Sequence, residues 1–177
     1  RWVNSDHLTA LGLLAMVGAG AGYWAAGRNR SWLWVVSVMI VLNWLGDSLD
    51  GTLARVRNRQ RPKYGYYVDH VVDVLSAVFL FGGLALSGFM SGAVAAALLV
   101  AYLLLSAESY LAAYAVGEFR ISHLGFGPTE LRILLIVGNF FLMTMPVIDF
   151  VGQRRLLFDV GGGFGIAGMV VALLLSI

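Results

Sequence analysis

The sequence predicts an all-α integral membrane protein of six transmembrane helices. Three observations predict it. Of 177 residues, 59% are hydrophobic and 12% charged, whereas soluble domains run at about 45–50% apolar and about 25% charged. The apolar residues fall into six stretches, each near the roughly 20 residues a bilayer-crossing helix needs. The connectors between them leave no room for a soluble domain, so the chain reads as one membrane domain over 1–177. A net charge of +2 supplies no extended basic face for nucleic acid. With no cysteine, disulfide scaffolds, thiol catalysis and cysteine zinc sites are excluded.

The first stretch covers 8–26 and includes Gly18-Ala19-Gly20-Ala21-Gly22. Small residues let membrane helices approach closely, so these glycines read as packing rather than as a nucleotide fingerprint. No small-residue cleavage site and soluble region follow, so the stretch is a span and not a signal peptide. The second covers 32–53. After it come Arg55, Arg57, Arg59, Arg61 and Lys63 with no acid among them, which the positive-inside rule places in the cytoplasm. The same loop is suited to attract anionic lipid. Both termini and the 118–129 connector then share that side, although Arg28, Arg30, Arg154 and Arg155 fall on the other. The third stretch is 66–86. The fourth, 90–116, carries the intramembrane Glu108 beside Ser106 and Ser109, for pocket lining or an interhelical bond. The fifth is 128–151, opened by Gly127-Pro128-Thr129-Glu130, and the sixth is 161–177. Asn43 and Asn139 are expected to bond between helices. His7, His123 and most of the five Trp and seven Tyr read as interfacial or packing residues. No internal repeat supports a transporter of inverted halves.

Four acids stand where acids are costly. Asp47, Asp50, Asp69 and Asp73 lie at the cytosolic ends of helices 2 and 3, and a carboxylate at mid-bilayer costs about 2.5–3.5 kcal/mol. Asp47, Asp50, Gly51 and Ala54 recur at i, i+3, i+4 and i+7, one helix face. Gly65, Asp69 and Asp73 share another. If the two helices are antiparallel neighbours, these faces converge on one water-accessible pocket. Four carboxylates repel unless cations lie between them, and hard divalent ions take such oxygens together with substrate phosphates. Two ions held this way can clamp a phosphoryl group. The small Gly51, Ala54 and Gly65 leave space for a ligand, and Arg55 can grip phosphate oxygens bidentately. The same spacing also admits acids paired with nearby arginines, or acids lining a cation pathway.

The run Asp47-Ser-Leu-Asp50-Gly51-Thr-Leu-Ala54-Arg55, nine further residues, then Gly65-Tyr-Tyr-Val-Asp69-His-Val-Val-Asp73 resembles the signature of the CDP-alcohol phosphotransferases. That signature is D-x2-D-G-x2-A-R, eight or nine residues, then G-x3-D-x3-D, and all eight positions match. The resemblance implies a six-helix membrane enzyme, usually a homodimer, with its site open to the cytosol. It implies transfer of a substituted phosphoryl group from a CDP-linked donor to an alcohol, with release of CMP, in phospholipid biosynthesis. One of the two substrates would be a lipid. Asp47, Asp50, Asp69 and Asp73 would hold a divalent pair, Mg²⁺ or Mn²⁺, and Asp73 would be the general base. Gly51, Ala54 and Gly65 would admit the cytidine nucleotide, with Arg55 on its phosphates. The expected location is the inner (cytoplasmic) membrane of a bacterium or archaeon.

Two further segments carry hints. Asp6-His7-Leu8-Thr9 resembles the family's P-N-x-L/I-T opening, with Ser5 for Pro and Asp6 for Asn. It serves equally as a helix start capped by Ser5 or Asp6. Gly127-Pro128-Thr129-Glu130 and Asp69-His70-x-x-Asp73 resemble segments of choline and ethanolamine phosphotransferases. On that likeness Arg120, Glu130 and Arg132 would line a head-group pocket, with Asp6, Thr9 and Glu108 also near substrate and His70 supporting the motif from beside its face. The rival readings are a small divalent-cation transporter, which needs acids spread over membrane depth, and a non-catalytic relative, which should lack a metal-binding aspartate.

Overall fold

Apolar runs become helices, and the helices end where the sequence carries start and stop chemistry. The structure, a computed structural model, describes residues 3–115 and 128–176. Among these residues there are six helices: α1 (Ser5–Ala26), α2 (Trp32–Val56), α3 (Pro62–Ser87), α4 (Gly92–Ala115), α5 (Pro128–Thr144) and α6 (Leu157–Ser176). A hairpin of β1 (Val147–Phe150) and β2 (Gln153–Leu156) joins the last two. Five helices are long and apolar enough to cross a membrane, and α5, with 17 residues, falls just short. The chain is thus a helical membrane protein, with Leu14, Leu86, Phe164 and Leu174 exposed on its outside where acyl chains, not water, would cover them. Glu118, Arg120 and His123 lie outside the described residues.

The helix starts differ in one detail from expectation. Asn4, rather than Ser5 or Asp6, caps α1: its side chain accepts the His7 amide at 2.9 Å, and the His7 ring accepts the Asn4 amide in return. Pro62 opens α3, where its missing N–H costs nothing. Gly88, at φ +78°, closes that helix in the left-handed conformation.

The expected fifth span, 128–151, is two things. Its helix stops at Thr144 because Pro146 cannot donate to the helix ladder and disfavours helical backbone before it. The remainder turns back at Val151 and Gly152, both at positive φ (51° and 73°), as a two-residue hairpin of this twist requires. Gly152 takes that geometry freely. Val151, β-branched, takes it with strain.

The larger correction concerns packing. Helices α2 and α3 are not the direct neighbours that the motif reading supposed. Both pack on α1, which runs between them, and contacts continue outward from α2 to α5 and from α3 to α4 and then α6. The cause is the small-residue surface of α1, whose Gly12, Ala15, Ala19, Gly20, Gly22 and Ala26 are all buried. Backbone meets backbone there. A Cβ on Gly83 of α3 would collide with the Gly20 backbone, and one on Gly46 of α2 would sit 2.7 Å from the Leu8 carbonyl oxygen. The glycine run of α1 is therefore packing, as read from the sequence.

Buried polar bonds fix the bundle. Tyr23 donates to Asn139 Oδ1 at 2.8 Å, and Asn139 Nδ2 donates to Ser37 Oγ at 3.2 Å. Together they tie α1, α5 and α2. Asn43 Nδ2 donates to the Gly12 carbonyl at 3.1 Å, joining α2 to α1. Both asparagines are the interhelical ties expected of them.

Candidate active site

The four aspartates of the motif meet at one place, its glycines, alanine and arginine do not join them there, and a third helix takes part. Asp47 and Asp50 from α2, Asp69 and Asp73 from α3, and Thr9 and Gly12 from α1 line one small cavity, together with Asn43 and Val72. Its volume is about 10 Å³, near the minimum for one water. Because α1 lies between the two motif helices, its first turns form part of the cavity wall.

The carboxylates are held unequally. Both oxygens of Asp50 accept hydrogen bonds, Oδ2 from Thr9 Oγ1 at 2.6 Å and Oδ1 from the Gly51 amide. Ser5 Oγ donates to the Asp50 carbonyl at 3.0 Å, clamping the same turn to α1. Asp47 pairs with Arg132 of α5, Oδ2 to Nη2 at 2.8 Å. No hydrogen bond or ion pair reaches Asp69 or Asp73 among the described residues.

Do these residues suit a divalent ion? Among the described residues no group of three His, Cys, Asp or Glu side chains is drawn together tightly enough to hold one as it stands. The donor chemistry nevertheless fits, since the acids lining the cavity offer only hard oxygens, which such ions prefer. One orphan atom points the same way. Asn43 is 5% exposed, and its Oδ1 has no hydrogen-bond partner. A buried acceptor left unmet costs about 1–3 kcal/mol. A cation or a water answers that need.

A second cavity of about 340 Å³ adjoins the motif end. It is lined by Asn4, Asp6 and Ala54 together with Arg57, Arg59 and Arg61. Arg61 pairs with Asp6, and Arg57 donates to the Val3 carbonyl. The basic loop read from sequence as topology thus also supplies one wall of a pocket, beside the alanine of the motif. A count of its charges could not reveal that, because the wall forms only when the loop folds back over the start of α1.

The remaining expected residues lie apart from the small cavity. Gly51 and Gly65 are exposed, and a Cβ on either would meet nothing within 4 Å. Arg55, exposed, donates to Thr52 Oγ1 at 3.2 Å on its own helix. Glu108 sits on α4, and Glu130 is exposed in the first turn of α5. His70 is held between Tyr66 and Tyr110, with ring centroids 4.0 and 4.3 Å away. Its Nδ1 bonds the Tyr66 carbonyl at 2.6 Å, so that nitrogen carries the proton. Asn43 and Gly12 were not singled out for this site from the sequence. The signal was available: Asn43 lies four residues before Asp47 and Gly12 three after Thr9, each on the face that reaches the cavity.

Compared with known proteins, the chain matches no curated sequence. A family model described as CDP-alcohol phosphatidyltransferase matches residues 2–176.

Proposed function

Since the chain belongs to the CDP-alcohol phosphatidyltransferase family, whose chemistry is phosphoryl transfer from a CDP-alcohol in lipid synthesis, we propose that the four-aspartate cavity is where this chain performs that transfer. The observation that carries the proposal is the convergence of Asp47, Asp50, Asp69 and Asp73 on one cavity. The residues come from two helices that α1 keeps apart, so folding alone gives no reason to gather like charges there.

In the reaction, the acceptor hydroxyl oxygen forms a bond to the β-phosphorus of the CDP-linked donor. The bond from that phosphorus to the CMP oxygen breaks, and CMP leaves. Asp73 takes the acceptor proton. A divalent ion held by Asp47, Asp50, Asp69 and Asp73, Mg²⁺ or Mn²⁺, would offset charge gathering on the phosphate oxygens. Gly51, Ala54 and Gly65 leave the approach to the carboxylates open for the cytidine nucleotide. Arg55, at the exposed end of α2, is free of the core and within the motif, suited to phosphate contact. Asp6, with the arginines of the adjoining cavity, would border the donor, while Thr9 holds Asp50 in place for its task. Arg120, Glu108 and Glu130 are left as candidates for the acceptor side.

The positive-inside rule supports a site open to the cytosol, because the basic loop borders it. One substrate carries a lipid tail, and Asp69-His70-x-x-Asp73 favours the choline and ethanolamine branch. We further propose a homodimer, on the family likeness.

The test is CMP release. Purified protein in lipid nanodiscs with Mg²⁺ should release CMP from CDP-diacylglycerol with a small alcohol, or from a CDP-linked head group with diacylglycerol. Asp69→Asn and Asp73→Asn should each lower release at least about 100-fold, the low end for general-base loss, without lowering the melting temperature. Wild-type rates in either variant would contradict the assignment.

A further inference from the structure

Arg132 occupies an unusual place for a substrate-binding arginine. Its side chain is 14% exposed, and its Nη2 pairs with Asp47, one of the four acids of the cavity. The placement is built in. Asn139 lies seven residues later, two turns along the same face of α5, and is fully buried in bonds to Tyr23 and Ser37. That anchor fixes which face of α5 turns inward, and hence delivers Arg132 to α2.

Resting on the metal-site reading above, we propose that Arg132 is an internal counter-cation, a latch on Asp47 that competes with a metal ion for its carboxylate. The physical case is competition. A carboxylate paired with a largely buried arginine already has part of its charge offset, so a divalent ion gains less there than at a bare site. The pair therefore weakens metal binding while it steadies the cation-free protein, in which four like charges would otherwise face one another. Once released, the guanidinium stands at the cavity edge with its donors unspent, and phosphate oxygens are the partners its planar fork suits. Arg132 thereby couples donor binding to metal binding: a phosphate that engages the guanidinium frees Asp47, and a metal on Asp47 frees the guanidinium. It is a positioning residue for the reaction, acting through Asp47.

The experiment measures Mn²⁺ binding and melting rather than turnover. Wild type, Arg132→Gln and Arg132→Lys are purified, stripped with EDTA, melted, and titrated with Mn²⁺ followed by electron paramagnetic resonance. Arg132→Gln should melt lower than wild type in EDTA and bind Mn²⁺ at least about fivefold more tightly, the low end of usual coupling between sites. Arg132→Lys, which keeps a cation in place, should lie between the two. A purely structural arginine would lower melting without tightening Mn²⁺. Equal or weaker Mn²⁺ binding by Arg132→Gln therefore overturns the latch and leaves the metal-site reading standing. No Mn²⁺ binding by any of the three overturns both. Should Arg132→Gln fail to fold in EDTA, its recovery when purified in Mn²⁺ supports the latch, and failure to recover overturns it.

Discussion

Helix α3 carries two kinds of glycine. Gly83, in its buried half, lies against the backbone of Gly20, and any side chain there would collide with α1. Gly65, in its first turns, faces open space, and so does Gly51 at the corresponding end of α2. The first kind is explained by the chain itself: without it α1 could not lie between its neighbours. The second is not, since an alanine would fit at either position and would favour the helix. A Cβ on Gly82, next to Gly83, would also meet nothing within 4 Å, so open space alone marks no ligand. Gly51 and Gly65 differ from it in standing within the aspartate motif. The contrast is between buried glycines that let the helices meet and motif glycines that, on the proposed function, leave room for substrate.

The contrast can be broken from either side. The largest effect should come from Gly83→Val. Overpacking usually costs about 1–3 kcal/mol and occasionally more, and here backbone rather than a yielding side chain is struck. Loss of the monodisperse peak in gel filtration is the expected result, and a variant that melts like wild type would refute the packing account. Next comes Asn139→Ala, which strands the Tyr23 hydroxyl in the core. An unmet buried group of this kind costs about 1–3 kcal/mol, visible as an earlier melt. The smallest change should follow Gly51→Ala, which removes a helix-interior glycine and so should raise stability by about 0.5–1 kcal/mol while slowing CMP release. If it also melts early, Gly51 belongs with Gly83 after all.

Much of this was legible in advance, and the reasons are physical. Helix faces repeat at a fixed angle, so Asp47, Asp50, Asp69 and Asp73 could be assigned to two faces from spacing alone. The glycine run of α1 likewise declared itself as a packing surface. What spacing could not tell was which helix that surface would meet. The motif helices are separated by a short loop, which suggests direct contact, yet both found a better partner in the small-residue surface of α1. The hairpin was hidden for a different reason: 128–151 is apolar almost throughout, and hydrophobicity hides a backbone reversal that Pro146 and Gly152 in fact mark. The pairing of Asp47 with Arg132 depends on α5 docking against α2, which no local pattern encodes.

The most direct measurement fills the open space and asks what is lost. Gly65→Leu places a side chain where the structure has nothing within 4 Å of a Cβ. The account predicts that this variant melts at or above the wild-type temperature while CMP release from the CDP-linked donor falls to background. Release at the wild-type rate from a folded Gly65→Leu protein would mean that the nucleotide does not pass this way, and the assignment of the motif end as the catalytic end would fail.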